Sequence, residues 1–344
     1  MKRYKFVDAI KSISMVGVVL WHCMLFYADN PFWPFRANEA NLVVIFLNNF
    51  FECSFVPLFV LASGFLFCKT AQNKKRKTVD LIVGRAKRLL LPWLLYGLIW
   101  LVPTYTILDI ESFGRSKGAS WLEGYRAMLL GQFADVAWFL PMLFWVSLIW
   151  CLLRFFLHKS RIWIGFIVAI ALTIVAHLCL ANVDYYKLSQ IDQYILYFYI
   201  GAIVYCYMDS FEKLNPTKLS VISGMSLLVV VILSQYAVGN FYLTLITKSI
   251  NILALFIFTF SIYQTGLLNG KKAAKWVDWM EMHCMDVYLF QVPWIYVYFI
   301  LFYPIVGKYD FVCILCNFVA TAITVYIICQ FITFLKSKIG FANR

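Results

Sequence analysis

The chain has 344 residues, 63% hydrophobic, 19% aromatic and only 14% charged, with a mean hydropathy of +0.78. Soluble domains are nearer half apolar, so the composition excludes a soluble protein and points to an all-α, polytopic membrane protein. The net charge of +13 is carried by Lys and Arg between apolar blocks, which the positive-inside rule explains, and no nucleic-acid partner is expected.

About ten apolar blocks are long enough to cross a bilayer as helices. In chain order they cover approximately 9–27, 43–68, 89–108, 136–156, 162–181, 192–208, 219–237, 243–263, 284–303 and 311–334. The sixth is short. Together they predict one transmembrane domain over 1–344, with no soluble domain, internal repeat or low-complexity tract. The stretch Met1-Lys-Arg-Tyr-Lys5 resembles the n-region of a signal peptide, but no small-x-small cleavage site follows, so the first span is expected to be retained. Lys2, Arg3 and Lys5 precede it. Lys74, Lys75, Arg76, Lys77, Arg85, Lys87 and Arg88 lie between spans two and three, and His158, Lys159 and Arg161 between four and five. Lys271, Lys272 and Lys275 lie between eight and nine, and Lys336, Lys338 and Arg344 close the chain. With an even span count these all fall on one side, so both termini are expected in the cytoplasm of a multi-pass protein of the bacterial inner membrane. The opposite loops are mixed in charge; the longest, roughly 109–135, holds Asp109, Glu111, Arg115, Lys117, Glu123 and Asp135.

The first span carries Lys11 and His22 in Asp8-Ala-Ile-Lys11-(x10)-His22. Eleven residues are about three helical turns, so both side chains share a stripe roughly 16 Å long. Ionisable groups in a span usually face an interior cavity. The plainer alternative is that Lys11 snorkels to the inner interface and His22 closes a helix contact. An imidazole in the outer half of the span suits proton transfer from a hydroxyl presented outside.

The second span holds Glu52 in Phe50-Phe51-Glu52-Cys53. It is either a partner that orients His22 or a solvated residue at the outer interface. At the third span, Arg85 and Arg88 share a helix face and suit phosphate oxygens, although on charge alone positive-inside decoration accounts for them. Asp286, Tyr288 and Gln291 enter span nine together, Lys248 and Asn251 begin span eight near the outside, and His177 and Trp138 are also near the outer side. Each of these reads as a packing or interface residue before a catalyst. Trp33, Trp121, Trp138 and Trp294 suit either sugar stacking or the interfacial belt. The ten cysteines lie mostly in apolar runs and read as packing residues; Cys313 and Cys316 share one span with no second pair, so neither a disulfide frame nor a metal site is expected.

The first-span pattern resembles the first helix of the membrane-bound acyltransferase 3 family, whose members acylate cell-envelope sugars and usually read Asp-x-x-Arg, ten residues, then His. Val56-Pro57-Leu58-Phe59-Val-Leu-Ala-Ser63-Gly64 is similar to its second helix, and Arg85-Ala-Lys-Arg88-Leu-Leu-Leu-Pro92 to its basic loop and third helix. Ala137-Trp138-Phe139-Leu140, Phe198-Tyr-Ile-Gly201-Ala202 and Val287-Tyr288-Leu289-Phe290-Gln291-Val-Pro293 resemble later elements. The resemblance covers nearly the whole chain, and order and spacing make it more specific than any single apolar match. Lys11 replaces the commoner arginine, Gln291 stands where many relatives carry histidine, and no esterase-like domain is fused at the C-terminus.

The resemblance implies a membrane O-acyltransferase that moves an acyl group, acetyl above others, from cytoplasmic acyl-CoA to a hydroxyl of an extracytoplasmic glycan or glycolipid. No permanently bound cofactor is expected; acyl-CoA is a substrate. On this reading the nucleotide binds near Arg85 and Arg88, the pantetheine arm threads between helices, and Lys11 guides the donor. His22 then serves as general base or transient acyl carrier, with Glu52 as its partner. The competing class is a transporter or flippase of an envelope lipid or polysaccharide, which intramembrane charges fit equally well. The sequence holds no pair of Gly/Pro-broken helices in corresponding halves to support it.

Overall fold

A computed structural model describes residues 4–28, 35–73, 76–111, 115–133, 135–183, 185–237, 239–266 and 270–338. The expectations placed on Lys2, Arg3, Trp33, Lys74, Lys75, Arg344 and the side chain of Asp135 lie outside the described residues. The described chain is helical: α1 (Lys5–Met24), α2 (Leu42–Ala71), α3 (Thr78–Tyr96), α4 (Val102–Ile107), α5 (Trp121–Leu129), α6 (Phe139–Leu152), α7 (Ile162–Leu180), α8 (Ile191–Cys206), α9 (Met208–Phe211), α10 (Pro216–Ala237), α11 (Phe241–Gln264), α12 (Lys271–Phe290), α13 (Trp294–Val306) and α14 (Asp310–Lys338). Every apolar block of the sequence falls mostly on helix, the block 284–303 being broken at 291–293.

Among the described residues, seven helices are long and apolar enough to cross a membrane, and eight if α12 and α13, bent by 67°, form one span. The ten expected blocks exceed that number because two are short. Fourteen residues in α6 span only about 21 Å against a hydrocarbon core of about 30 Å, although short 3₁₀ turns extend both its ends. The helix α8 has sixteen residues. Two helices begin earlier than their apolar runs. In α3 the charged segment from Asp80 to Arg88 already winds as helix, joined to α4 through a π-helical turn, Gly97–Leu101. In α12 an amphipathic half starting at Lys271 precedes the apolar half.

The most enclosed helices are α1 and α2; their apolar windows are 72% buried, against 17% for α10. Helices α7, α10 and α14 turn apolar side chains outward, as lipid-facing helices do. The tightest crossing joins α2 to α8. A Cβ at Gly64 would overlap the Phe198 carbonyl, and one at Gly201 the Leu61 carbonyl. Small residues let membrane helices approach backbone to backbone, which gives the Ser63-Gly64 and Gly201-Ala202 pairs a physical reason.

Contacts sort the helix ends into two groups. Tyr4 at the start of α1 lies under Lys69 at the end of α2, and Arg154 donates to the carbonyls of Ala71 and Arg76 at the same end. At the other end Asn41 caps α2, accepting from Val43 and Val44, and donates to Asp310 at the start of α14 (2.6 Å). Since α14 starts where α2 starts, and α1 starts where α2 stops, both described ends of the chain lie at one end of the bundle.

Candidate active site

His22 lies in the last turn of α1 and is buried. Its partner comes from the break between α12 and α13: His22 Nδ1 is 3.1 Å from Gln291 Oε1. The other end of the amide decides the tautomer. Gln291 Nε2 donates to the Tyr288 carbonyl (3.1 Å), and a carbonyl oxygen only accepts. Oε1 therefore faces His22, and an amide oxygen also only accepts. So Nδ1 carries a proton, and whenever the ring is neutral Nε2 carries the lone pair. That is the form a general base or a nucleophilic imidazole needs.

The break is held from the side. The Val292 carbonyl accepts from Tyr96 Oη (3.1 Å) and Trp100 Nε1 (3.4 Å). Trp100 sits in the π-helical turn that follows α3, and the Phe290 ring packs against both aromatic rings. Non-helical backbone at membrane depth is tolerated where protein satisfies its polar groups, and here two side chains do so. Next to His22, Trp21 Nε1 donates to Asn48 Oδ1 of α2 (2.9 Å). The motif residues Phe59, Phe139 and Tyr288 form an aromatic cluster, with Phe139 edge-on to both others. Trp138 packs on Tyr194.

An apolar cavity of about 620 Å³ lies between α1, α12 and α14. Lys275 and Trp276 line one end, Val19 and Val287 the other. Along α12 that is about 18 Å. One turn beyond Val19 and Val287 come His22 and Gln291. Trp279 lines the cavity, and its indole Nε1 is buried without a hydrogen-bond partner.

The other expected site residues are dispersed. Lys11, half-buried on α1, comes within electrostatic reach of Cys284 on α12. The Arg85 guanidinium lies 4.9 Å from the centre of the Phe67 ring, and Arg88 is exposed. None of these three lines the apolar cavity, whose cation is Lys275. Glu52 does not meet His22: it pairs with Lys248 Nζ across 3.4 Å. The pairing missed in the sequence is therefore Glu52 with Lys248, two charges in separate apolar runs at the same end of the bundle. Among the described residues, one cluster brings three metal-ligand types together: His283, Asp286 and Cys329, within 4.8 Å. Asp286 is already shared between His283 (3.4 Å) and Lys336 (4.0 Å), polar contacts that join α12 to α14.

An imidazole hydrogen-bonded to a glutamine at a helix break is an arrangement able to support proton or group transfer. An acyltransferase domain, of the type numbered 3, matches residues 4–334. The chain therefore belongs to the acyltransferase 3 family and is an acyltransferase. No curated protein and no solved structure matches it.

Proposed function

We propose that the chain is a multi-pass O-acyltransferase of the bacterial inner membrane, with ten spans and both termini cytoplasmic. It moves an acyl group, acetyl in the simplest case, from cytoplasmic acyl-CoA to a hydroxyl of an extracytoplasmic envelope glycan. The observation that carries this reading is the His22–Gln291 pair at the α12–α13 break, one helical turn beyond the Val19 and Val287 end of the apolar cavity.

The apolar cavity is assigned to the pantetheine arm and acyl group of the donor. Lys275 at one end suits the donor's phosphates, and the unpartnered Trp279 N–H suits an amide carbonyl of the arm. Arg85, Arg88 and Lys11 then serve the approach of the nucleotide at the basic end and not the walls of the channel. His22 Nε2 takes the proton of the acceptor hydroxyl as its oxygen attacks the thioester carbonyl, and CoA leaves as the thiol. In the covalent variant Nε2 attacks the thioester carbonyl first and the C–S bond breaks to expel CoA as thiolate; the hydroxyl oxygen then displaces the acyl group from the ring, and its proton leaves to solvent or the thiolate. General-base help is worth about 10²–10⁴-fold.

The test is transfer of label from radiolabelled acetyl-CoA to membrane glycans by wild type and His22→Ala at matched folded levels. Label in wild type that is lost in the variant supports the reading. Label surviving the substitution removes His22 from the chemistry. A carrier would move its cargo unmodified and consume no donor. Broken helices mark carrier sites when they recur in corresponding halves, and among the described residues α12–α13 is the only bent pair of that kind.

A further inference from the structure

A second polar site lies along α2 at Asn49 and Glu52, and the acyl-transfer chemistry above makes no use of it. Lys248, on α11, has a side chain only 7% exposed. A buried ammonium costs several kcal/mol unless it is paired, and within a membrane helix such a group marks a functional site by default. Its Nζ is held between Glu52 Oε1 of α2 (3.4 Å) and Gln193 Oε1 of α8 (3.3 Å). These three residues share the wall of a cavity of about 320 Å³ with Asn49, Asn240 and Thr244, within the size range of small-ligand pockets.

The chemistry of the wall narrows the ligand. It offers amides, a hydroxyl, a carboxylate and an ammonium, so donors and acceptors alternate around one small space. The Glu52 carboxylate offsets the Lys248 charge, so the pocket has no net pull on an anion. Sugar hydroxyls donate and accept at once and match such a wall. One further wall residue, Phe241, is an aromatic ring stacked on His177 with centroids 3.5 Å apart, and His177 Nδ1 pairs with Asp192 at 3.0 Å. An aromatic ring in the wall suits the C–H face of a sugar ring. The pocket also lies at the same end of the bundle as His22. On one turn of α2, Asn48 bonds Trp21, the neighbour of His22, while Asn49 lines the pocket and donates to Gln235 of α10 (3.0 Å).

We infer that the Glu52–Lys248–Gln193 pocket binds one neutral sugar unit of the acceptor glycan, away from the hydroxyl that receives the acyl group. The word acceptor rests on the proposed function; the binding of sugar does not. Glu52 and Lys248 are then binding residues, and His177 is a positioning residue stacked on Phe241.

The experiment is saturation-transfer NMR of the full chain in lipid nanodiscs, with chitobiose, maltose and inorganic phosphate as separate probes. Wild type is expected to give a signal with at least one disaccharide and none with phosphate. Lys248→Met and Gln193→Leu are expected to weaken binding about tenfold or more, the loss of a hydrogen bond or two. Gln193→Leu carries the test should Lys248→Met not fold. His22→Ala is expected to keep the signal, which separates this proposal from the acyl-transfer one: sugar binding without acyl transfer sinks the latter alone. Disaccharide signals unmoved by both pocket substitutions, phosphate binding in place of sugar, or silence from both disaccharides would each overturn the sugar pocket.

Discussion

At the scale of single residues, the orientation of one amide sets the chemistry of His22. Because Nε2 of Gln291 is committed to the Tyr288 carbonyl, Oε1 must accept the His22 Nδ1 proton. Gln291→Leu removes that acceptor from the buried Nδ1–H, a loss of about 1–3 kcal/mol. The expected result is a fall of ~10-fold or more in kcat with little change in KM for the donor. Gln291→Glu, which keeps an acceptor, is expected to retain more activity than the leucine variant. Equal activity in wild type and Gln291→Leu would show that the tautomer does not matter. His22 was legible in the sequence because an imidazole in an apolar helix stands out. Its partner was not, because 269 residues separate the two and nothing local in Gln291 points to α1. Glu52 was equally conspicuous, and proximity along the span made His22 its natural partner; the tertiary packing of α11 brings Lys248 to it instead.

At the scale of elements, broken backbone is repaired by side chains from neighbouring helices. Pro57 inside α2 cannot donate to the carbonyl four residues back, that of Cys53. Asn251 Nδ2 of α11 takes that carbonyl at 3.0 Å and also donates to Ser54 Oγ at 2.7 Å. Asn251→Leu is therefore expected to destabilise the fold by ~1–3 kcal/mol, read as a lower midpoint of thermal unfolding in detergent; an unchanged midpoint would contradict the repair. Gly201→Leu is expected to yield no folded protein, because the side chain would meet the Leu61 backbone at the α2–α8 crossing; size-exclusion chromatography of the purified variant decides this. Helix existence and order were readable from hydropathy. Helix starts were not, since the charged turns of α3 and the polar half of α12 wind as helix without adding apolar signal. The bend of 67° between α12 and α13 was marked in the sequence only by Pro293, and proline alone does not say how far a helix turns.

At the scale of the whole molecule, the family assignment over 4–334 and the bundle agree on a membrane acyltransferase. The proposed orientation puts the described termini and the Lys275 end of the apolar cavity in the cytoplasm, with His22 and the sugar pocket toward the outside. Membrane-impermeant maleimide is expected to label Lys117→Cys from outside intact cells and Lys213→Cys only after the membrane is opened, since both positions are exposed on opposite loops. The reverse pattern would turn the protein over and with it the direction of acyl movement. Composition made the membrane class legible. The two cavities were not, because each is assembled from helices far apart in the chain. The central claim is that His22 performs acyl transfer. It is tested most directly by following label from radiolabelled acetyl-CoA into membrane glycans, with wild type and His22→Ala compared at equal folded amounts. The account predicts incorporation by wild type and a loss of about 10²-fold or more in the variant; incorporation at a similar rate by both proteins would contradict it.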